Sequence, residues 1–344
     1  MTEPAAPTSK SNLPWIVLGL ALVAGLVAVV LLLAPSGESD EEAVGDANKA
    51  TAQRLQTQGP YRLSADPSVR AIPADSEVVL FAKMQQVLRS PILPALKLDH
   101  GRIWERMSFD PRVKSFLEAS GVKLEQSKAF SLIVRGLADR PRAPHVVAQW
   151  EGTFDAKKVM QAFQQALGAK DVDIAGQKTL ADDSIALHAG SGLVMGNRPL
   201  FDDLLAGKGD FSATTEVKQV MSHLGKQGAI TAFARVVAPP KASIPMVPIE
   251  KITWVGATLE VMGAPKIRLV ALTKSSDDAE ELAAGVESAL GIASLGLGAK
   301  GGADALVDLI ELIKVEAKDK VVKVSVDVPL SKVPELVGAF SSPR

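Results

Sequence analysis

The chain has 344 residues, a formal net charge of -1 and no cysteine, and it is 47% hydrophobic but only 4% aromatic. Near-neutrality without a long basic block removes the electrostatic footprint that nucleic acid or an acidic lipid surface requires. Without thiols there are no disulfides, thiolate metal sites or cysteine nucleophiles, so stability must come from packing small aliphatic side chains, and the scarcity of aromatics argues against a base-stacking or sugar-stacking platform.

Residues 1–13 form a short tail and residues 14–35 a predicted transmembrane anchor. Trp15 to Ala34 is a run of twenty residues without a charge, bracketed by Pro14 and Pro35. As a helix it would be about 30 Å long, the hydrocarbon thickness of a bilayer, with no polar face for water. It exceeds the roughly 7–15 apolar residues of a secretory signal, and proline directly after Ala34 makes a poor cleavage context. An uncleaved anchor is expected. Lys10 precedes the run, whereas Glu38, Asp40, Glu41, Glu42 and Asp46 follow it before the first basic residue, Lys49. This asymmetry predicts a single-pass protein of the cytoplasmic (inner) membrane with its C-terminal body on the extracytoplasmic or periplasmic side. Gly19 and Gly25 are six apart, so the anchor lacks the small-residue spacing that brings two spanning helices together.

Residues 36–60 are acidic, small and polar, as expected of a flexible tether. Beyond them lie two segments that echo each other, predicted as repeats over residues 61–210 and 211–344. "VVLFAKM" at 78–84 matches "ITAFARV" at 230–236 through Phe81, Ala82 and Lys83 against Phe233, Ala234 and Arg235. Each copy then runs through strands into an amphipathic helix. Val159, Met160, Phe163, Ala166 and Leu167 share one helix face; Leu282, Ala283, Val286, Ala289 and Leu290 share the other. Thr153 or Asp155 is placed to cap the first helix, and Ser275, Ser276 or Asp277 the second. Strand pairs and short helices opening on Pro199-Leu200 and Pro329-Leu330 close the two units. In "VVKVSVDV", 321–328, valines alternate with Lys323, Ser325 and Asp327, a pattern suited to an antiparallel sheet with one dry face. The predicted fold is α+β: an N-terminal transmembrane helix, then two tandem repeats of antiparallel sheet with helices packed on one face.

No catalytic, cofactor-binding or metal-ligating residue is predicted. "GLGAKG", 296–301, has the letters of a dinucleotide fingerprint but follows a helix instead of a buried strand, which reads as a loop between helices. His100, His145, His188 and His223 are scattered, without metal-ligand spacing. Ser191 in "AGSGL" lacks the outer glycines of a nucleophile elbow and reads as a hairpin turn residue. Asp182-Asp183 and Asp202-Asp203 read as turn and first-helical-turn residues, since neighbouring side chains on a helix do not converge. The proline-rich "APPKASIPMVPIEK", 238–251, reads as a crossing loop, and Trp104, Trp150 and Trp254 as core residues.

The stretch "IPADSEVVLFAKMQQVLRSP", 72–91, in which proline and an acidic group lead into a strand and a helix, together with the repeat pattern, resembles uncharacterised bacterial envelope proteins that carry an N-terminal anchor and a duplicated α+β body. The resemblance implies an extracytoplasmic location and no established activity, and it supplies no catalytic residue. The expected function is a non-catalytic binding or assembly module of the cell envelope, held by residues 15–34, with an envelope protein or a lipid as partner and no nucleic acid. The alternative is a carrier or sensor of a hydrophobic ligand such as lipid in an apolar groove between sheet and helices.

Overall fold

The computed structural model describes residues 72–336 apart from 96–115, 117, 138, 140–143, 183–184, 190–191, 226–227, 237–245 and 299–303. The predicted tail, anchor and tether lie outside the described residues. β1 (Val78–Ala82) leads through α1 (Met84–Leu88) and α2 (Ile92–Ala95) to β2 (Ser127–Arg135) and β3 (His145–Gly152). α3 (Ala156–Leu167) precedes two hairpins, β4 (Lys170–Ile174) with β5 (Gln177–Ala181) and β6 (Ile185–Ala189) with β7 (Gly192–Asn197). α4 (Arg198–Leu205) and α5 (Thr215–Leu224) follow, then β8 (Ile230–Arg235), β9 (Ile252–Glu260) and β10 (Lys266–Thr273). α6 (Ser276–Gly298), α7 (Asp304–Glu311), β11 (Lys314–Lys318) and β12 (Val321–Asp327) complete the order.

These strands form one twelve-stranded sheet, β11-β12-β10-β9-β8-β1-β2-β3-β7-β6-β5-β4, and its pairings are antiparallel. The α+β class therefore stands as expected. The two echoing strands, β1 and β8, are neighbours at the centre, and their registers are Val79 opposite Phe233, Leu80 opposite Ala232 and Phe81 opposite Thr231.

Helices cover both faces, which corrects the expectation of a single covered face. Val79, Ile133, Val147, Phe233 and Val270 pack with Leu200 and Leu204 of α4 and Val217 and Val220 of α5. Strand neighbours of opposite parity, Leu80, Ala232, Leu259 and Leu269, pack with Val87 of α1 and Leu306 and Leu309 of α7. On that second side α3 buries Val159 and Phe163 against Leu187 and Leu193, and α6 buries Ala279, Leu282 and Ala283 on Val322. The alternation in β12 is real at Asp327, which is exposed, but Val321 is buried on the same parity. In β9 and β10 both parities are apolar: Trp254, Val270 and Leu272 on one, Ala257, Leu259 and Ile267 on the other. A sheet dry on both faces requires cover on both.

Local chemistry sets the element ends. Asp155 caps α3, its carboxylate accepting from Lys158 N at 3.1 Å, and Gly168 ends the helix in the left-handed region. Ser275 Oγ accepts from Asp278 N at 3.1 Å at the start of α6. "VDIAGQKTLAD" contains a hairpin turn, Ala175 and Gly176 having φ of 52° and 75°, so the first segment has four strands after its helix where the second has two.

Candidate functional site

Two adjacent rows of side chains cross the face that carries α4 and α5. One runs Val270, Gly256, Phe233, Val79, Ile133, Val147, each opposite the next on paired strands. α5 sits directly on it, since a Cβ added at Gly256 would lie 2.1 Å from Val220 Cγ1. The second row, two residues along each strand, runs Arg268, Thr258, Thr231, Phe81, Ser131, Gln149. Thr258, Thr231, Ser131 and Gln149 are buried. Ser131 Oγ donates to Gln149 Oε1 at 3.2 Å, while Gln149 Nε2 and Thr258 Oγ1 have no hydrogen-bond partner. Each such orphan costs about 1–3 kcal/mol, so the row is an unfavourable feature inside a well-packed sheet. Sequence reading passed over it. The available signal was a polar residue at an inward position of an apolar strand, as with Thr231 in "ITAFAR" and Gln149 in "HVVAQWEG".

The ionised groups are drawn into structural contacts. Arg135, at the end of β2, donates to Asp203 of α4 at 2.8 Å and to Asp75 at 3.2 Å, and Lys208 meets the other Asp203 oxygen at 2.7 Å. Burial works to lower the Arg135 guanidinium, but the two carboxylates outweigh it and hold it above its ordinary value. The Lys208 hydrogen bond, with that of Arg135, holds the Asp203 carboxyl below its usual range against desolvation. This cluster straps the chain before β1 to β2 and α4. On the opposite side of the molecule's sequence, Lys251 bridges Asp278, at 3.0 Å, and Glu281 of α6. The Glu281 and Asp278 hydrogen bonds raise its pKa. Lys83, half-buried beside β1, has its pKa lowered by desolvation.

The residues singled out from the sequence do not come together. His145 stands opposite Arg135 on β3, His188 Nδ1 lies 3.1 Å from the Lys178 carbonyl, and His223 is in the last turn of α5. Burial, then the charges of Lys323 and Lys318, lower the His223 pKa. His100 lies outside the described residues. Among those described, no group of three or more His, Asp or Glu is placed to hold a metal ion. Asp202 pairs with Arg198 one turn back while Asp203 turns to Arg135 and Lys208, so the adjacent carboxylates diverge. Asp182 accepts from Ile185 N at 2.6 Å as a turn residue. Asp183, Ser191 and Trp104 lie outside the described residues. Trp254 is buried against Phe211, and Trp150 packs on Phe130 with its Nε1 unpartnered. The first glycines of "GLGAKG" end α6. From the proline-rich stretch, Met246 crosses α6 at Gly285, where an added Cβ would clash with the Met246 carbonyl oxygen at 2.2 Å.

On the surface, both sheet edges are charged: Lys314, Glu316 and Lys318 on β11, Lys170, Asp171 and Asp173 on β4. Charged edges resist addition of a further strand. The most exposed large apolar side chains among the described residues are Leu295 at 78%, Met246 at 60% and Ile292 at 54%, all on or against α6. No helix among the described residues is long and apolar enough to cross a membrane.

No protein-family model matches the sequence, and no curated protein matches it. Among solved structures, crystal form I of TP0453 is similar over 82% of this chain and 100% of that one, with a TM-score of 0.43 and 8% identity. At that distance it carries no argument. The class of protein is defined by the chain's own architecture: an α+β protein built on one large antiparallel sheet.

Proposed function

We propose that the chain is a non-catalytic, single-pass membrane protein whose body, two tandem repeats over residues 61–210 and 211–344, works on the extracytoplasmic side as a binding or assembly module of the bacterial cell envelope. The observation that carries it is the uncharged run Trp15–Ala34 followed by an acidic tether and a body of ordinary globular composition. The repeat reading is supported by the register of β1 on β8, in which the equivalent residues Leu80 and Ala232 face each other. The strand orders β1-β2-β3-β7-β6 and β8-β9-β10-β12-β11, read outward from that pair, support it too.

Two features favour a module over an enzyme or a carrier. Arg135 with Asp203 and Lys251 with Asp278 pair across elements, while Lys208 holds Asp203 and Arg198 holds Asp202 locally. A carrier calls for an apolar groove between sheet and helices, and Phe201, Phe211, Phe233, Leu200 and Leu204 pack together in that space beneath α4 and α5. Crosslinking the full chain in its native membrane and identifying what co-purifies in fixed proportion tests the proposal. A defined envelope protein is the expected result; recovery of lipid inside the body in place of a protein would favour the carrier.

A further inference from the structure

α6 is divided in two by its burial. Ala279, Leu282, Ala283 and Gly285 are buried, but from Val286 to Gly296 no residue is. Ile292 and Leu295, in that second half, are 54% and 78% exposed, beside exposed Gly291 and Gly296. Charge divides the helix in the same way: Asp277, Asp278, Glu280, Glu281 and Glu287 occupy its first half, and no charged residue follows from Ser288 to its end at Gly298. Ala289, Leu290, Ala293 and Ser294 are half-buried, so one flank of this end is packed while Ile292 and Leu295 project from the other, on a stretch that four glycines, at 285, 291, 296 and 298, weaken as a helix.

We infer that the C-terminal end of α6, through Ile292 and Leu295, rests in the interfacial layer of the lipid bilayer to which the chain is tethered. The inference rests on the anchor reading, which joins the body to a membrane through the 25 residues 36–60. Lipid is favoured over a protein by area. Two side chains of this size offer on the order of 100 Å² each, against the roughly 800 Å² per partner that a stable protein interface buries. Lipid is also favoured by the division of charge, because a helix with all its carboxylates in one half presents the other half to hydrocarbon without dragging a charge after it. Insertion driven by apolar side chains needs no basic patch, in keeping with the near-neutral chain.

The chain has no cysteine, so single nitroxide labels can be placed on Leu295→Cys, Ile292→Cys and, as an exposed reference, Lys318→Cys of the full chain in phosphatidylcholine vesicles. Labels at 295 and 292 should collide severalfold more with oxygen, relative to a water-soluble nickel reagent, than the label at 318 does. In the Leu295→Cys chain, changing Ile292→Glu should move the 295 label towards the aqueous value while vesicle flotation is unchanged. Flotation with equal aqueous values at all three sites would overturn the inference and leave the anchor standing. Loss of flotation in the unsubstituted chain would remove the anchor and the inference with it. Spin–spin broadening at 295 that survives dilution into excess lipid would assign the surface to a second copy, against the inference.

Discussion

Leu80 and Ala232 face each other across β1 and β8, and the register around them is self-equivalent: Val79 opposes Phe233 as Thr231 opposes Phe81. The approximate two-fold so defined exchanges the two rows on the face beneath α4 and α5. Phe233 maps to Phe81, Gly256 to Ser131 and Ile133 to Thr258. One row is apolar and lies beneath Val220 of α5; the other carries polar side chains that are buried without full hydrogen bonding.

Thr258 should therefore be replaceable by the kind of residue its mate carries. Its Oγ1 has no partner and the residue is fully buried. Thr258→Val removes an unsatisfied group at nearly constant volume and should stabilise the chain by about 1 kcal/mol. Urea unfolding of the detergent-solubilised chain measures this; equal or lower stability would mean that the hydroxyl is satisfied in solution.

Gly256 has the opposite expectation. A methyl group there would lie 2.1 Å from Val220 Cγ1 and 3.0 Å from Leu224 Cδ1. Gly256→Ala should cost about 1–3 kcal/mol by pushing α5 from the sheet. The same unfolding assay on Gly256→Ala with Val220→Ala should show a smaller loss than the two single changes added together.

Asp203 links stability to acid. Its folded-state pKa is depressed, first by the Lys208 hydrogen bond. Its contribution is present above the unfolded carboxylate value, about 3.9, and is lost as pH falls through the lower folded value. Asp203→Asn should lower stability by about 1 kcal/mol at neutral pH, and the difference from the parent should shrink on acidification through that window. A difference independent of pH would contradict the assignment.

His223 acts in the neighbouring pH range. Burial and then Lys323 and Lys318 disfavour its protonated form in the folded chain. The unfolded chain takes up the proton first as pH falls below about 6.5, so the folded state loses stability from there down through the lower folded value. His223→Gln should flatten that part of the Tm-against-pH curve, with little change above it.

How much of this was legible in the sequence follows from the range of each signal. The Phe81 and Phe233 echo pointed to equivalent strands because both sit at the same place in a short alternating pattern. Asp155 and Ser275 were legible as caps because capping is local. Cover on both faces was missed because the wet alternation of β12, next to an edge strand, was extended to a sheet whose central strands are apolar on both sides. α5 escaped notice because its buried Val217, Val220 and Leu224 are few and separated by polar residues. Of the polar row only single inward polar residues, Thr231 and Gln149, were legible; that they form a row with Ser131 depends on register, because four strands must align to bring them together.

The central claim is that residues 14–35 hold the body outside the membrane. Adding protease to spheroplasts that express the full chain, followed by alkaline extraction of the membranes, tests it most directly. The account predicts digestion of the body from outside and retention in the membrane of a fragment containing Trp15 to Ala34. A body protected until the spheroplasts are lysed, or a chain released intact by alkaline extraction, would contradict it.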